Sequence, residues 1–170
     1  MNALNSILVE RAQIVPAFLP VDINGAAQTG DWVSLKNFQK CTILLIGAAG
    51  SSGTDVTMTV QQATDVSGTG AKALNFTRID AKEAASSLTA VGQFTTTTQS
   101  AANTYTTTNN EQLAQVYAVT INAEDMDLDN DFDCLNVSVN AGNAAKVMVG
   151  LYILEGAKFG TDPLPSAIAN

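Results

Sequence analysis

Hydrophobic residues in this chain recur mostly at every second position. Val56, Met58 and Val60 alternate with Thr57, Thr59 and Gln61. Tyr117, Val119 and Ile121 alternate within Gln112–Ile121, and Leu135, Val137 and Val139 alternate with Asn136, Ser138 and Asn140. A period of two marks a strand with one buried and one wet face. Ala73–Ile79 continues the pattern through Leu74 and Phe76, with a shift at Arg78. Lys40–Ile46 and Lys146–Leu154 are apolar on both faces, which predicts central strands covered on both sides. Asp31–Leu35 reads as a further strand. Asn24-Gly25, Ser67-Gly68-Thr69-Gly70 and Ala141-Gly142-Asn143 are turn signals between these runs.

Three segments admit two readings. Asn2–Gln13 has helical spacing through Leu4, Ile7, Leu8 and Arg11, with Asn2 as N-cap, and competes with an extended arm. Ile14–Val21 carries Pro16 and Pro20, which sheet interiors reject, so it is an edge strand or an arm laid on another surface. The threonine-rich run Phe94–Thr108 is a long exposed hairpin or a loop. Lys82–Ser87 is locally helix-friendly. About eight strands separated by turns predict an all-β fold, an antiparallel β-sandwich of jelly-roll type. Residues 1–20 form its N-terminal arm or short helix, 21–159 the sandwich, and 160–170 an extended C-terminal tail with Pro163 and Pro165.

Length and composition narrow the function. A chain of 170 residues fits one domain with a core of its own. Only 14% of residues are charged, and acids exceed bases 16 to 8, for a net charge of −8. That balance leaves no electrostatic footprint for nucleic acid and disfavours anionic membranes. With no histidine in the sequence, Ser-His-Asp and Cys-His catalysis and His-ligated metals are excluded. Neutral Thr, Asn, Gln and Ser replace charge on the surface, a composition suited to side-by-side packing. The start of the chain lacks a basic n-region, and Glu10 and Arg11 interrupt its apolar run, so it does not read as a signal peptide.

Candidate chemistry is sparse. Glu124–Asp133 holds six acids in ten residues. Asp125, Asp127, Asp129 and Asp131 are candidate cation ligands, because hard cations take several carboxylate oxygens. The spacing opens like an EF-hand loop but has Asn130 where glycine is needed and Asn136 where glutamate is needed. The competing reading is an exposed turn in which Met126, Leu128 and Phe132 point inward. Cys41 and Cys134 read as buried thiols, with a disulfide as the alternative. Gly47–Gly53 lacks the Gly-Lys-Ser/Thr ending of a phosphate loop. Glu10 paired with an aspartate could be drawn as a glycosidase pair, but nothing selects the partner. No cofactor and no catalytic residue is expected.

Two stretches carry a resemblance. Pro20-Val-Asp-Ile-Asn-Gly-Ala-Ala-Gln-Thr-Gly-Asp-Trp-Val-Ser-Leu-Lys-Asn37 and Asp131-Phe-Asp-Cys-Leu-Asn-Val137, the latter with Gly150-Leu-Tyr-Ile-Leu154, resemble a family of small tailed-phage virion proteins. Val60–Asp65 and Gly68–Leu74 are similar to it as well. The resemblance is to capsid decoration, or cement, proteins, which bind the outside of a head shell and are often β-sandwich trimers. Asp131 stands where that family often has glycine. The resemblance implies a non-enzymatic protein made in the host cytoplasm and placed on the capsid exterior, with the major capsid protein and copies of itself as partners. The alternatives are another virion component (neck, tail or fibre) and a carbohydrate-binding sandwich using Trp32, Tyr105 and the acidic run as a groove.

Overall fold

A computed structural model describes residues 7–51, 55–84, 88, 92–107, 113–158 and 163–169. After one helical turn, α1 (Leu8–Arg11), the chain runs through β1 (Ala12–Asp22), β2 (Gln28–Thr29), β3 (Val33–Ser34), β4 (Lys40–Gly47), β5 (Thr57–Ala63) and β6 (Lys72–Ala73). It continues through β7 (Phe76–Ala84), β8 (Thr95–Ala102), β9 (Thr104–Thr106) and β10 (Ala114–Asn122). Two 3-10 turns, Ala123–Asp125 and Leu128–Asn130, lead to β11 (Cys134–Val139) and β12 (Val147–Glu155).

The strands form two antiparallel sheets. Sheet I has the order β1-β12-β4-β10-β7-β8. Sheet II has β11 and β5 at its centre, with β2 and β3 sharing one edge and β6 and β9 the other. Taking β2 with β3 and β6 with β9 as broken single strands leaves four rows per sheet, once the β7–β8 hairpin is set aside as an addition beside β10. The chain crosses between sheets at nearly every step, as in a jelly roll. Asn103 manages one crossing: its carbonyl accepts Val60 N–H at 2.8 Å and its side-chain amide donates to Val60 O at 3.3 Å.

The period-two residues fill the space between the sheets. Ile43 and Leu45, Tyr117 and Val119, and Tyr152 and Leu154 face Met58, Val60, Leu135 and Val137, all of them buried. Arg78 marks a bulge in the β7–β8 ladder, which is why Phe76 and Ile79 both reach the core three residues apart.

Several expectations are corrected. Ala12–Pro20 lies inside sheet I as its edge strand, paired with β12 from Ala12↔Glu155 onward. The prolines are tolerated because β1 has a neighbour on one side only and carries two register shifts. The helix is the single turn Leu8–Arg11, while the Met1–Ser6 part of the expected segment lies outside the described residues. Of the tail, Ala167 is buried in the sandwich core and accepts the Ser34 N–H at 2.7 Å, so 163–169 packs on its own domain; 160–162 and Asn170 lie outside the described residues. Lys82–Ala84 is the end of β7 rather than helix, with 85–87 outside the described residues, and of the Gly47–Gly53 loop 52–53 also lie outside them. Phe94–Thr107 is neither a hairpin of its own nor a loop, since β8 pairs with β7 in sheet I and β9 with β5 in sheet II; Thr108 lies outside the described residues.

Candidate functional site

The acidic run is the β10–β11 connection. Each 3-10 turn is held by one of its own carboxylates. Asp125 accepts the Asn122 backbone N–H at 3.1 Å and its side-chain amide at 2.9 Å. Asp127 accepts both bonds of the Asn130 amide and is ion-paired with Lys72, whose ammonium also stands 3.7 Å from the centre of the Phe132 ring. Gln62 accepts the Asp127 N–H at 2.9 Å and ties the turn to β5. Asp131 closes the second turn in the left-handed region, φ 63°, where the resembling family often places glycine. Met126 is buried, Phe132 is half-buried, and Leu128 is 46% exposed, so of the three apolar side chains expected to point inward Leu128 does not.

The four candidate ligands therefore separate. Asp125 and Asp127 are engaged by local amides and Lys72, while Asp129 and Asp131 face solvent. Among the described residues no three His, Cys, Asp or Glu side chains come together in a way that could hold a metal ion. The turn is a charge-bearing protrusion: Glu124, Asp129 and Asp131 are exposed around Leu128.

Three aspartates have carboxyls held below their ordinary value of 3.8: Asp65 through the Thr69 hydroxyl and backbone N–H, Asp80 through Arg78 and Thr96, and Asp127 through Lys72 and Asn130. A carboxyl with a lower pKa when folded than when unfolded stabilises the fold above the unfolded value. That stabilisation disappears as pH falls through the folded value. The melting temperature is expected to hold from neutral pH down to about pH 4 and then drop, with Asp80→Asn flattening part of the acid limb. An acid limb identical in Asp80→Asn and wild type would show that the Arg78 pair is not coupled to folding.

Cys41 on β4 and Cys134 on β11 are both buried thiols outside any disulfide, and burial pushes the Cys41 thiol far above its usual range. Tyr105 packs edge-on against Tyr117, 5.9 Å between centroids, at the Met58 end of β5. The Trp32 ring lies on Gly68, near the other end of that strand, where the Asp65–Gly70 turn follows β5. Trp32 and the acidic turn are thus neighbours, and Tyr105 stands apart from both; the three do not form one groove.

A further feature is the outer face of sheet I. Outward positions run in rows across strands: Ile14 beside Ile153, Pro16 beside Leu151, Leu151 beside Leu44, Leu44 beside Ala118, and Val149 beside Ile46 and Val116. All are partly or fully exposed, so no described element covers them. This corrects the expectation that the doubly apolar strands β4 and β12 are covered on both sides. The face turns polar across β7 and β8, where Asp80 sits beside Thr96 and Arg78 beside Thr98. Ladder pairing between β10 and β7 stops at Ala118↔Asp80, and beyond it the strands part around an open groove of about 640 Å³ lined by Arg78, Asp80, Thr120, Asn122 and Asp125. The face was half legible: the double-sided apolar runs were in the sequence, but not that no described element covers their outer side.

No protein-family model and no curated protein matches the chain. Among solved structures, the crystal structure of SPBc2 prophage-derived protein YomS is similar, with a TM-score of 0.43 and 11% identity over 84% of this chain and 92% of that one. The similarity is a loose correspondence in backbone path.

Proposed function

We propose that this chain is a non-enzymatic structural protein of a tailed-phage virion, a homotrimeric decoration protein on the outside of the head shell. The observation that carries the reading is the acidic turn. Its own hydrogen bonds and the Lys72 pair fix its shape, while Glu124, Asp129 and Asp131 are directed outward around an exposed Leu128. An acidic tip whose Glu124, Asp129 and Asp131 face solvent around one apolar residue suits docking onto a basic shell surface, where charge guides encounter and the apolar contact adds residence time. The resemblance to virion proteins and the jelly-roll topology agree with this reading, although a fold alone does not assign a function.

The test is reconstitution. Purified protein added to heads lacking it is expected to bind, to dissociate as salt rises, and to bind less when Leu128→Ala or Asp129→Asn is introduced. Absence of the protein from mature particles by mass spectrometry would overturn the reading. Its detection at the neck, tail or fibre by electron microscopy would move the role to another virion component.

A further inference from the structure

We propose that the apolar outer face of sheet I is covered, in the assembled protein, by a neighbouring copy of this chain. This deepens the homo-oligomer part of the reading above and is independent of attachment to the head.

Size supports a protein partner. With strands ~4.8 Å apart and residues ~3.4 Å along each strand, the apolar part spanning β1, β12, β4 and β10 covers roughly 400–500 Å², and the whole six-stranded face roughly 800 Å². The apolar part is about the size of the largest apolar patch on a typical monomer, and such patches are often functional. A standard interface takes about 800 Å² from each partner.

Charge decides for a second copy over a charged partner. Every ionic group on this face already has a local partner. Lys40 pairs with Glu155 at 3.3 Å, Arg78 pairs with Asp80 at 2.9 Å, and Lys82 lies 4.6 Å from the centre of the Phe94 ring. A charged surface would find only one base without an acidic partner here, Lys82, which lies over the Phe94 ring. The chain as a whole carries −8, yet the strands of this face hold three bases, Lys40, Arg78 and Lys82, against two acids, Asp80 and Glu155, with Asp125 at the edge of the groove. Joining copies here brings fewer like charges together than joining them through the β10–β11 turn, where Glu124, Asp129 and Asp131 are exposed.

The experiment is light scattering after size exclusion at micromolar concentration, on wild type, Leu151→Glu, Val149→Lys and Asp129→Asn, with circular dichroism to confirm the β-fold. Wild type is expected at a multiple of the 17.7 kDa chain mass. Leu151→Glu and Val149→Lys, which place charges of opposite sign on the face, should each fall to a single chain while staying folded; Asp129→Asn should remain assembled. A monomeric wild type overturns the proposal. So do folded face variants that stay assembled, since copies would then meet elsewhere. So do face variants that keep the wild-type mass but no longer bind heads, because the shell would then be what covers the face. Loss of head binding in Asp129→Asn with assembly unchanged bears on the decoration reading alone.

Discussion

Replacing Tyr152 by phenylalanine is expected to lower stability by about 1–3 kcal/mol, and replacing it by alanine by about 3–5 kcal/mol. The first figure concerns one buried N–H. On its outer side β11 is paired by β2 at Ser138 and Val139 and by β3 at Cys134 and Leu135. Between them the chain at Gly30–Trp32 leaves the ladder. The Val137 carbonyl is still met by Gly30 N–H at 2.8 Å, but the Val137 N–H has lost its backbone acceptor. The Tyr152 hydroxyl, arriving from β12 of the opposite sheet, accepts it at 2.9 Å. Phenylalanine keeps the ring and leaves that donor dry and unpaired; alanine also opens a cavity where one of the largest buried side chains stood. Gly30 completes the arrangement, since a Cβ there would sit 2.6 Å from the tyrosine oxygen and 2.8 Å from Val137 O. Gly30→Ala is therefore expected to destabilise as well. The pair Gly30→Ala with Tyr152→Phe should cost less than the sum, because removing the hydroxyl relieves one of the two collisions. Urea midpoints at constant slope measure all four proteins. Strict additivity would mean that hydroxyl and glycine are not in contact in solution.

This locus also shows what the resembling stretches hold. Gly30 belongs to the first, Val137 and Tyr152 to the second, and they meet at the seam between the sheets. Their residue pattern is accounted for by the joining of the two layers and does not by itself point to a surface or a site.

The sequence revealed alternation and concealed long-range partners. Val56-Met58-Val60 and Tyr117-Val119-Ile121 declared their inward faces because period two is local. Whether Ile14–Val21 was a strand or an arm depended on β12, more than 120 residues later, and proline chemistry excludes a sheet interior but not an edge. The acidic run looked like a cation loop because its countercharge, Lys72, is 55 residues away. Leu128 read as an inward residue because hydrophobicity does not say which way a turn faces. The runs in β4 and β12 correctly announced two apolar faces; what lies over the outer one is not encoded within a single copy's pattern. The C-terminal tail, judged by its prolines, hid one small residue, Ala167, that the core accepts.

Gly68→Ala should cost about 2–4 kcal/mol and Gly70→Ala about 1–2 kcal/mol, although both glycines lie in the same turn in the left-handed region, at φ 82° and 66°. The dihedral penalty of giving either position a side chain is common to both, roughly 1–2 kcal/mol. Space separates them. At Gly70 the nearest atom to a new Cβ is Phe132 Cζ at 3.7 Å, an ordinary contact. At Gly68 it is Trp32 Nε1 at 2.5 Å, with Cε2 at 2.8 Å. The turn cannot drift away, because the Asp65 carboxylate accepts the N–H groups of Ser67 and Thr69 at 2.8 and 3.1 Å, and Thr64 N–H reaches Thr69 O at 3.0 Å. The ring must therefore move. Trp32 is the only tryptophan in the chain, so its fluorescence reports that displacement directly. The expected result is a shifted emission maximum with a lower melting temperature for Gly68→Ala, and an unshifted maximum with a smaller drop for Gly70→Ala. Equal losses at the two positions, or an unmoved spectrum at Gly68, would show that backbone strain alone governs this turn and that the ring does not rest on it.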